Sequence, residues 1–157
     1  MGPAHDGRPV IYASPMAQSV RDIMSTDVMT LRPEDNLLAI REAMEALHIR
    51  HVPVVDDDKL VGLITHRDIL RLTIADADPS RLSGTRLEEA QANTFVQEVM
   101  TTKIVTIPPE TTVAKAAEML VKHHFGCLPV VDASGKLVGI VTEHDLLKFL
   151  ARDLFED

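Results

Sequence analysis

The sequence contains no tryptophan, one tyrosine and four phenylalanines. A core built on stacked aromatic rings is therefore excluded, and aliphatic packing has to carry the fold. There is one cysteine, Cys127, so no internal disulfide can form and a disulfide scaffold is ruled out, which suits a reducing compartment. Positive charge is also scarce: 16 Lys and Arg stand against 24 Asp and Glu, a formal net charge of −8. That balance argues against a nucleic acid as primary ligand, because a phosphate backbone demands a basic surface, although a local basic pocket stays open. No apolar run approaches the roughly 20 residues of a membrane span. The first residues also lack the basic region and apolar stretch of a signal peptide, so no membrane association and a cytoplasmic location are expected. What is present, 45% hydrophobic and 25% charged residues over 157 positions, fits one compact domain or two small ones sharing a core.

The chain repeats itself. Val52-Pro53-Val54-Val55-Asp56 followed by Leu60-Val61-Gly62-Leu63-Ile64-Thr65-His66-Arg67-Asp68 returns as Leu128-Pro129-Val130-Val131-Asp132 followed by Leu137-Val138-Gly139-Ile140-Val141-Thr142-Glu143-His144-Asp145. Upstream the offset is 76, pairing Met24 with Met100, Thr30 with Thr106, Pro33 with Pro109 and Glu42 with Glu118. After one inserted residue it becomes 77, pairing Gly62 with Gly139 and Asp68 with Asp145. Fixed self-similarity of this kind signals two copies of one supersecondary unit. Each copy is too short for a comfortable core of its own, so the pair is the expected folding unit, with function between the copies.

Residues 1–18 read as a leader in which Val10-Ile11-Tyr12 can add a short strand or dock on the surface. The first copy, 19–72, begins with an amphipathic turn at Val20, Ile23 and Met24 and a brief strand over Val28 to Leu31. Asn36 is placed to cap a helix reaching about His48, with Leu37, Ile40, Ala43, Met44 and Leu47 on one face. A hairpin of His51 to Val55 and Leu60 to Ile64, joined by an acidic turn, leads to a helix capped by Thr65 and ending near Thr73. Residues 73–94 form a surface linker with some helix over Leu87 to Ala92. The second copy, 95–157, repeats the order: strand near Val105, helix Val113 to His123, hairpin Leu128 to Val141, and helix Glu143 to about Phe155. The fold class is thus α/β (α+β), with tandem strand-helix-strand-strand-helix units.

Two segments carry chemistry, Thr65-His66-Arg67-Asp68 and Thr142-Glu143-His144-Asp145. Each lies where a strand gives way to a helix, so free backbone N–H groups and the positive helix end are available to an anion. An Asp in the first turn can accept both hydroxyls of a ribose, while Thr, His and Arg can meet a phosphate. The same spacing is also a capping box, which needs no ligand, and both roles can coexist.

Taken together, the Met-Thr opening, the Thr-x-x-Pro step, the apolar-Pro-Val-Val-Asp strand, the Leu-Val-Gly turn and the closing Thr-x-x-Asp resemble the cystathionine-β-synthase (CBS) domain. Two in one chain, over about 19–72 and 95–151, resemble a CBS pair or Bateman module. The resemblance implies pseudo-two-fold packing of the copies and two clefts for adenosine-containing ligands. The first cleft would combine Thr30, Ile49, Arg50, His51 and Pro53 with Thr142, His144 and Asp145. The second would combine Thr65, His66, Arg67 and Asp68 with Thr106, Phe125, Gly126, Cys127 and Pro129. Arg50 and His51 give the first cleft charge that Gly126 and Cys127 do not give the second, so the first is the expected better site.

Other chemistry has weaker support. His123, His124 and Cys127 are metal-ligating types, but adjacent histidines diverge and a structural zinc site takes four convergent ligands. Cys127 has no basic partner to activate it. Asp56-Asp57-Asp58 reads as a solvated turn, with magnesium as the lesser option. The final helix carries Leu146, Leu147, Leu150 and Leu154 with Phe149 and Phe155, part core and part available to a partner. No nucleophile–base pair is evident. The expected function is a non-catalytic sensor of an adenine nucleotide (AMP, ADP or ATP) that signals to a partner protein, requires no cofactor and forms a homodimer. S-adenosylmethionine or NAD sensing, and a structural dimerisation module with vestigial clefts, are the alternatives.

Overall fold

A computed structural model describes residues 18–75 and 84–155, and the proposed Val10-Ile11-Tyr12 strand lies outside them. A 3-10 turn, Val20–Asp22, opens the first copy, followed by α1 (Leu37–Leu47), β1 (His51–Asp56), β2 (Lys59–Thr65) and α2 (His66–Ala75). After α3 (Gly84–Ala92) the second copy runs α4 (Val96–Val99), α5 (Val113–His123), β3 (Cys127–Val131), β4 (Leu137–Thr142) and α6 (Glu143–Phe155). The architecture is mixed α/β, with β1–β2 and β3–β4 as two antiparallel sheets.

Local chemistry sets the boundaries. Asn36 Oδ1 accepts from Ala39 N at 3.1 Å and Thr112 Oγ1 from Lys115 N at 3.1 Å, so α1 and α5 begin at side-chain caps. Both helices end on a histidine in the left-handed region, His48 at φ 53° and His124 at φ 55°. The two hairpins differ at their tips. In the first, Asp56 pairs with Lys59 across Asp57 and Asp58, both at positive φ, a two-residue primed turn. In the second, the inserted residue is absorbed by a longer turn in which Gly135 takes φ 86° and Asp132 accepts from Ser134 N and Lys136 N.

The expected strands at Val28–Leu31 and near Val105 are reduced to single bridges, Leu31 to Val54 and Ile107 to Val130. Proline explains both. Leu31 N donates to Pro53 O and Val55 N to Leu31 O, and the next bond of that parallel ladder would need an N–H that Pro53 lacks. Pro129 stops the second copy in the same way, after Ile107 N has donated to its carbonyl.

The copies are built into each other. Thr101 exchanges both backbone bonds with Leu63 at 2.9 Å, and Ser25 does so with Ile140 at 2.9 and 3.0 Å, so the opening of each copy borders the other's sheet. The cores follow suit. Leu37, Ile40, Met44, Val52, Val54 and Ile64 are closed by Val96 with Val99 and Met100, whereas Leu120, Leu128, Val130 and Val141 are closed by Val20 with Ile23 and Met24. A Cβ on Gly62 would collide with Met100, and one on Gly139 would lie 2.6 Å from Met24 Sδ. The Leu-Val-Gly step therefore lies inside the second strand of each hairpin, and its glycine is a seat for the other copy's methionine.

One further expectation is corrected: Leu47, assigned to the core face of α1, is 57% exposed. The linker carries a helix, α3, that packs on α1 outside both core clusters with Gln91 buried.

Candidate functional site

Thr142 ends β4 and caps α6. Its N–H donates to Asp145 Oδ2 at 2.9 Å, its hydroxyl donates to the same oxygen at 3.1 Å, and Asp145 N donates back to Thr142 Oγ1 at 3.3 Å. The capping box is thus fully formed. The other carboxylate oxygen, Oδ1, accepts from Ser25 Oγ at 3.1 Å, across from the first copy. Asp145 is 5% exposed, so these protein donors stand where water would otherwise hydrogen-bond its oxygens.

The first copy repeats the box without the crossing bond. Thr65 N and Oγ1 donate to Asp68 Oδ2 at 2.9 and 3.0 Å, and Asp68 N returns to Thr65 Oγ1 at 3.3 Å. Thr101, the counterpart of Ser25, makes no such bond to Asp68. The two helix starts are equal in local geometry and unequal in what the opposite copy brings to them.

Around Asp145 lies a cavity of about 900 Å³. Of the residues expected at the first cleft, Ile49, Arg50, His51, Thr142, His144 and Asp145 line it. Thr30 and Pro53 do not: Thr30 is exposed short of the Leu31 bridge, and Pro53 is buried in β1. The sequence reading missed Ser25, Asp27, Val28, Met29 and Lys148, all of which line the same cavity. Lys148 was accessible by arithmetic, since it stands one helical turn beyond Asp145. Ser25 was not, because its role depends on the packing of one copy against the other.

The walls divide by chemistry. Val28, Met29, Ile49 and Ile140 supply apolar surface, while Arg50, Lys148, His48 and His144 line the cavity together with the carboxylates of Asp27, Glu143 and Asp145. At the seam His51 packs so closely on Gly126 that a Cβ there would overlap the imidazole. Burial holds the His51 imidazole below its ordinary value. Glu143 and Asp68 act against that shift, and Arg50 and Arg67 act with it. His51 therefore feels charges from the start of both α2 and α6.

The second expected set is less gathered. Thr65, His66, Arg67 and Asp68 stand together at the start of α2. Thr106 is exposed just before Ile107, while Cys127 and Pro129 are buried in β3. Phe125 packs on the second core and stacks on His123 with ring centroids 5.3 Å apart. Gly126, assigned to this set, borders the cavity of the first. Burial pushes the Cys127 thiol up to about 12, which leaves no thiolate for nucleophilic or metal chemistry near neutrality. Among the described residues no three His, Cys, Asp or Glu side chains converge on a metal position, and no helix is long and apolar enough to cross a membrane.

Comparison with known proteins places the repeat. A family model described as the CBS domain matches residues 20–74 and again 96–152. A CBS domain-containing protein of Dictyostelium discoideum is 34% identical over 136 residues, 86% of this chain and 92% of its own length. Other relatives are longer: the chain spans 47% of an uncharacterized protein of Methanocaldococcus jannaschii and 22% of an inosine-5'-monophosphate dehydrogenase of Thermoplasma acidophilum. Among solved structures, CBSX2 in complex with AMP superposes with a TM-score of 0.72 at 26% identity, covering 87% of this chain and 98% of that one. The CBS domain pair of protein MJ0100, in complex with 5'-methylthioadenosine and S-adenosyl-L-methionine, gives 0.70 at 27% identity, covering 87% and 98%.

Proposed function

The chain belongs to the CBS domain family, and from that premise we propose that it is a non-catalytic regulatory module binding an adenosine-containing ligand, with AMP, ADP or ATP foremost, between its two copies. The observation that carries this reading is the cavity of about 900 Å³ whose walls come from both copies and converge on the Asp145 carboxylate. That volume lies in the range of small-molecule sites. The ligand classes named for the two solved relatives share adenosine, which supports the class rather than any one member.

The chemistry matches piece by piece. Asp145 Oδ1 accepts the ribose hydroxyls once the Ser25 hydroxyl turns aside, while Oδ2 keeps the helix cap. The base lies along Val28, Met29, Ile49 and Ile140. A phosphate is met by the start of α6, His144, Arg50 and Lys148. A ligand held by both copies favours one arrangement of them, and that differential affinity is what a regulated partner would read. Nothing in this assignment requires a cofactor or a membrane.

Calorimetric titration with AMP, ADP, ATP, NAD and S-adenosylmethionine tests the reading. Heat of binding from at least one is expected, with the ligand recovered unchanged. Absence of heat from all five, with the protein demonstrably folded, would leave a structural module with vestigial clefts. Turnover of the bound ligand would remove the non-catalytic assignment. Light scattering on the same samples decides the homodimer.

A further inference from the structure

Asp145 and Asp68 are counterparts in the two copies, yet their carboxylates are held differently. Thr142 N and Oγ1 donate to Asp145 Oδ2, and Thr65 N and Oγ1 donate to Asp68 Oδ2, so each aspartate commits one oxygen to its own helix cap. The other oxygen of Asp145 is taken from across the molecule, by Ser25 Oγ at 3.1 Å. Asp145 is buried, while Asp68 is half-buried. A carboxylate has about four acceptor sites. Asp145 has filled three of them, two through Thr142 and one through Ser25. A vicinal diol brings two donors, so it finds one site open and has to evict a resident donor.

The residents are not equally held. The Thr142 N–H belongs to the backbone, and the Thr142 hydroxyl closes the box that starts α6, accepting in turn from Asp145 N. Ser25 is different. Its main chain is pinned by the two bonds it exchanges with Ile140 at 2.9 and 3.0 Å, and Met24 beside it is seated on Gly139. The hydroxyl alone can leave, by rotation about χ1 within the cavity that Ser25 itself lines, with every backbone bond kept. Resting on the reading of this cavity as an adenosine site, we propose that Ser25 is an intramolecular competitor for the ribose diol: its hydroxyl holds the Asp145 oxygen that the ligand claims, and so raises the concentration of ligand that fills the site. A ligand with both hydroxyls gains its own bonds to Asp145 less the one it breaks, whereas a ligand without them leaves Ser25 in place. The bond that breaks also ties the two copies together, so the arriving ribose takes over a link between them.

Two measurements on Ser25→Ala, a change at an exposed position, test this. In calorimetry the variant should bind AMP about tenfold more tightly than the wild type, the low end of the range for a hydrogen bond to a charged group. The nucleotide 2′,3′-dideoxy-AMP, which keeps the base and phosphate without the hydroxyls, should bind both proteins equally. In urea unfolding without ligand, Ser25→Ala should lower the folded-to-unfolded ratio by a similar factor, because the bond that resists the ligand is the bond that stabilises the chain. In the Asp145→Ala background the same substitution should change nothing. AMP affinity that is equal in the two proteins, or weaker in Ser25→Ala, would overturn the competitor while leaving the adenosine site standing. A gain shared by the dideoxy nucleotide would overturn it as well, since relief of crowding would then be the cause. No heat from either nucleotide with either protein would count against the adenosine reading itself and overturn the competitor with it.

Discussion

His51 rests its imidazole on Gly126, leaving no room for a side chain at that position. The two residues come from different copies, and both line the cavity. Gly126→Ala should therefore displace the ring and cost about 1–3 kcal/mol, the usual penalty of overpacking. Urea unfolding of Gly126→Ala, His51→Ala and the double variant measures it. The double variant should be more stable than the sum of the singles, because removing the ring removes the clash. Strict additivity would separate the two residues energetically.

The same burial gives His51 a pH signature. Its folded value lies below the ordinary 6.5, chiefly through desolvation. Below 6.5 the unfolded chain therefore takes up a proton that the folded chain resists. The stabilising contribution is whole above 6.5 and is lost as pH falls towards and through the lower folded value. The urea midpoint of the wild type should fall more steeply between pH 7.5 and 5.5 than that of His51→Asn, the difference cancelling the other histidines. Glu143→Gln should steepen the wild-type slope, since Glu143 is the strongest influence opposing the shift. Parallel curves for wild type and His51→Asn would remove His51 as the titrating group.

Asp145 and Asp68 should respond differently to removal. Each accepts a capping bond from its own threonine, but only Asp145 also accepts from Ser25, and it is nearly fully buried. Asp145→Ala strips a cap and leaves the Thr142 N–H and Ser25 hydroxyl without an acceptor. A loss of about 1–3 kcal/mol is expected. Asp68→Ala should cost less, nearer 1 kcal/mol as for an ordinary cap. In ligand titrations the order should be the same, with Asp145→Ala losing the stronger binding event. Equal stability losses, or a dominant binding loss in Asp68→Ala, would reverse the ranking of the two helix starts.

Local rules made much of this chain legible, and contacts between the copies account for most of what was not. Asn36 is a short oxygen acceptor placed before apolar periodicity, and it caps α1 as expected, while its counterpart Thr112 caps α5 by the same local rule. Gly135 absorbs the inserted residue because a longer hairpin needs a left-handed position. The edge strands failed because periodicity at Val28 or Val105 carries no trace of prolines in the neighbouring strand. Gly62 and Gly139 were visible as a repeated glycine, but the reason for it, a methionine from the opposite copy, is not written nearby. Six of the residues expected at the first cleft line one cavity. Ser25, 120 residues from Asp145, came only from the fold.

Arg50 lies exposed on the cavity wall, two residues beyond the left-handed His48 that ends α1, and no ion pair holds its guanidinium among the described residues. Its backbone is committed, since the Arg50 carbonyl accepts from His66 N at 2.9 Å, so position 50 is fixed while its side chain stays free to meet a ligand. If the guanidinium reads phosphate, Arg50→Ala should weaken AMP by about 1.5–3 kcal/mol, the range of a hydrogen bond to a charged group, and leave adenosine nearly unchanged. Lys148→Ala should act in the same direction but by less, because an ammonium offers a point charge rather than a planar fork. A solvating role for Arg50 at the end of α1 predicts otherwise: a small loss of stability through the helix dipole and equal effects on the two ligands. Calorimetry with AMP and adenosine on wild type, Arg50→Ala and Lys148→Ala separates the cases. An AMP-to-adenosine affinity ratio that stays constant across all three proteins would place the phosphate elsewhere, with His144 and the N–H groups that open α6 as the remaining donors on that wall.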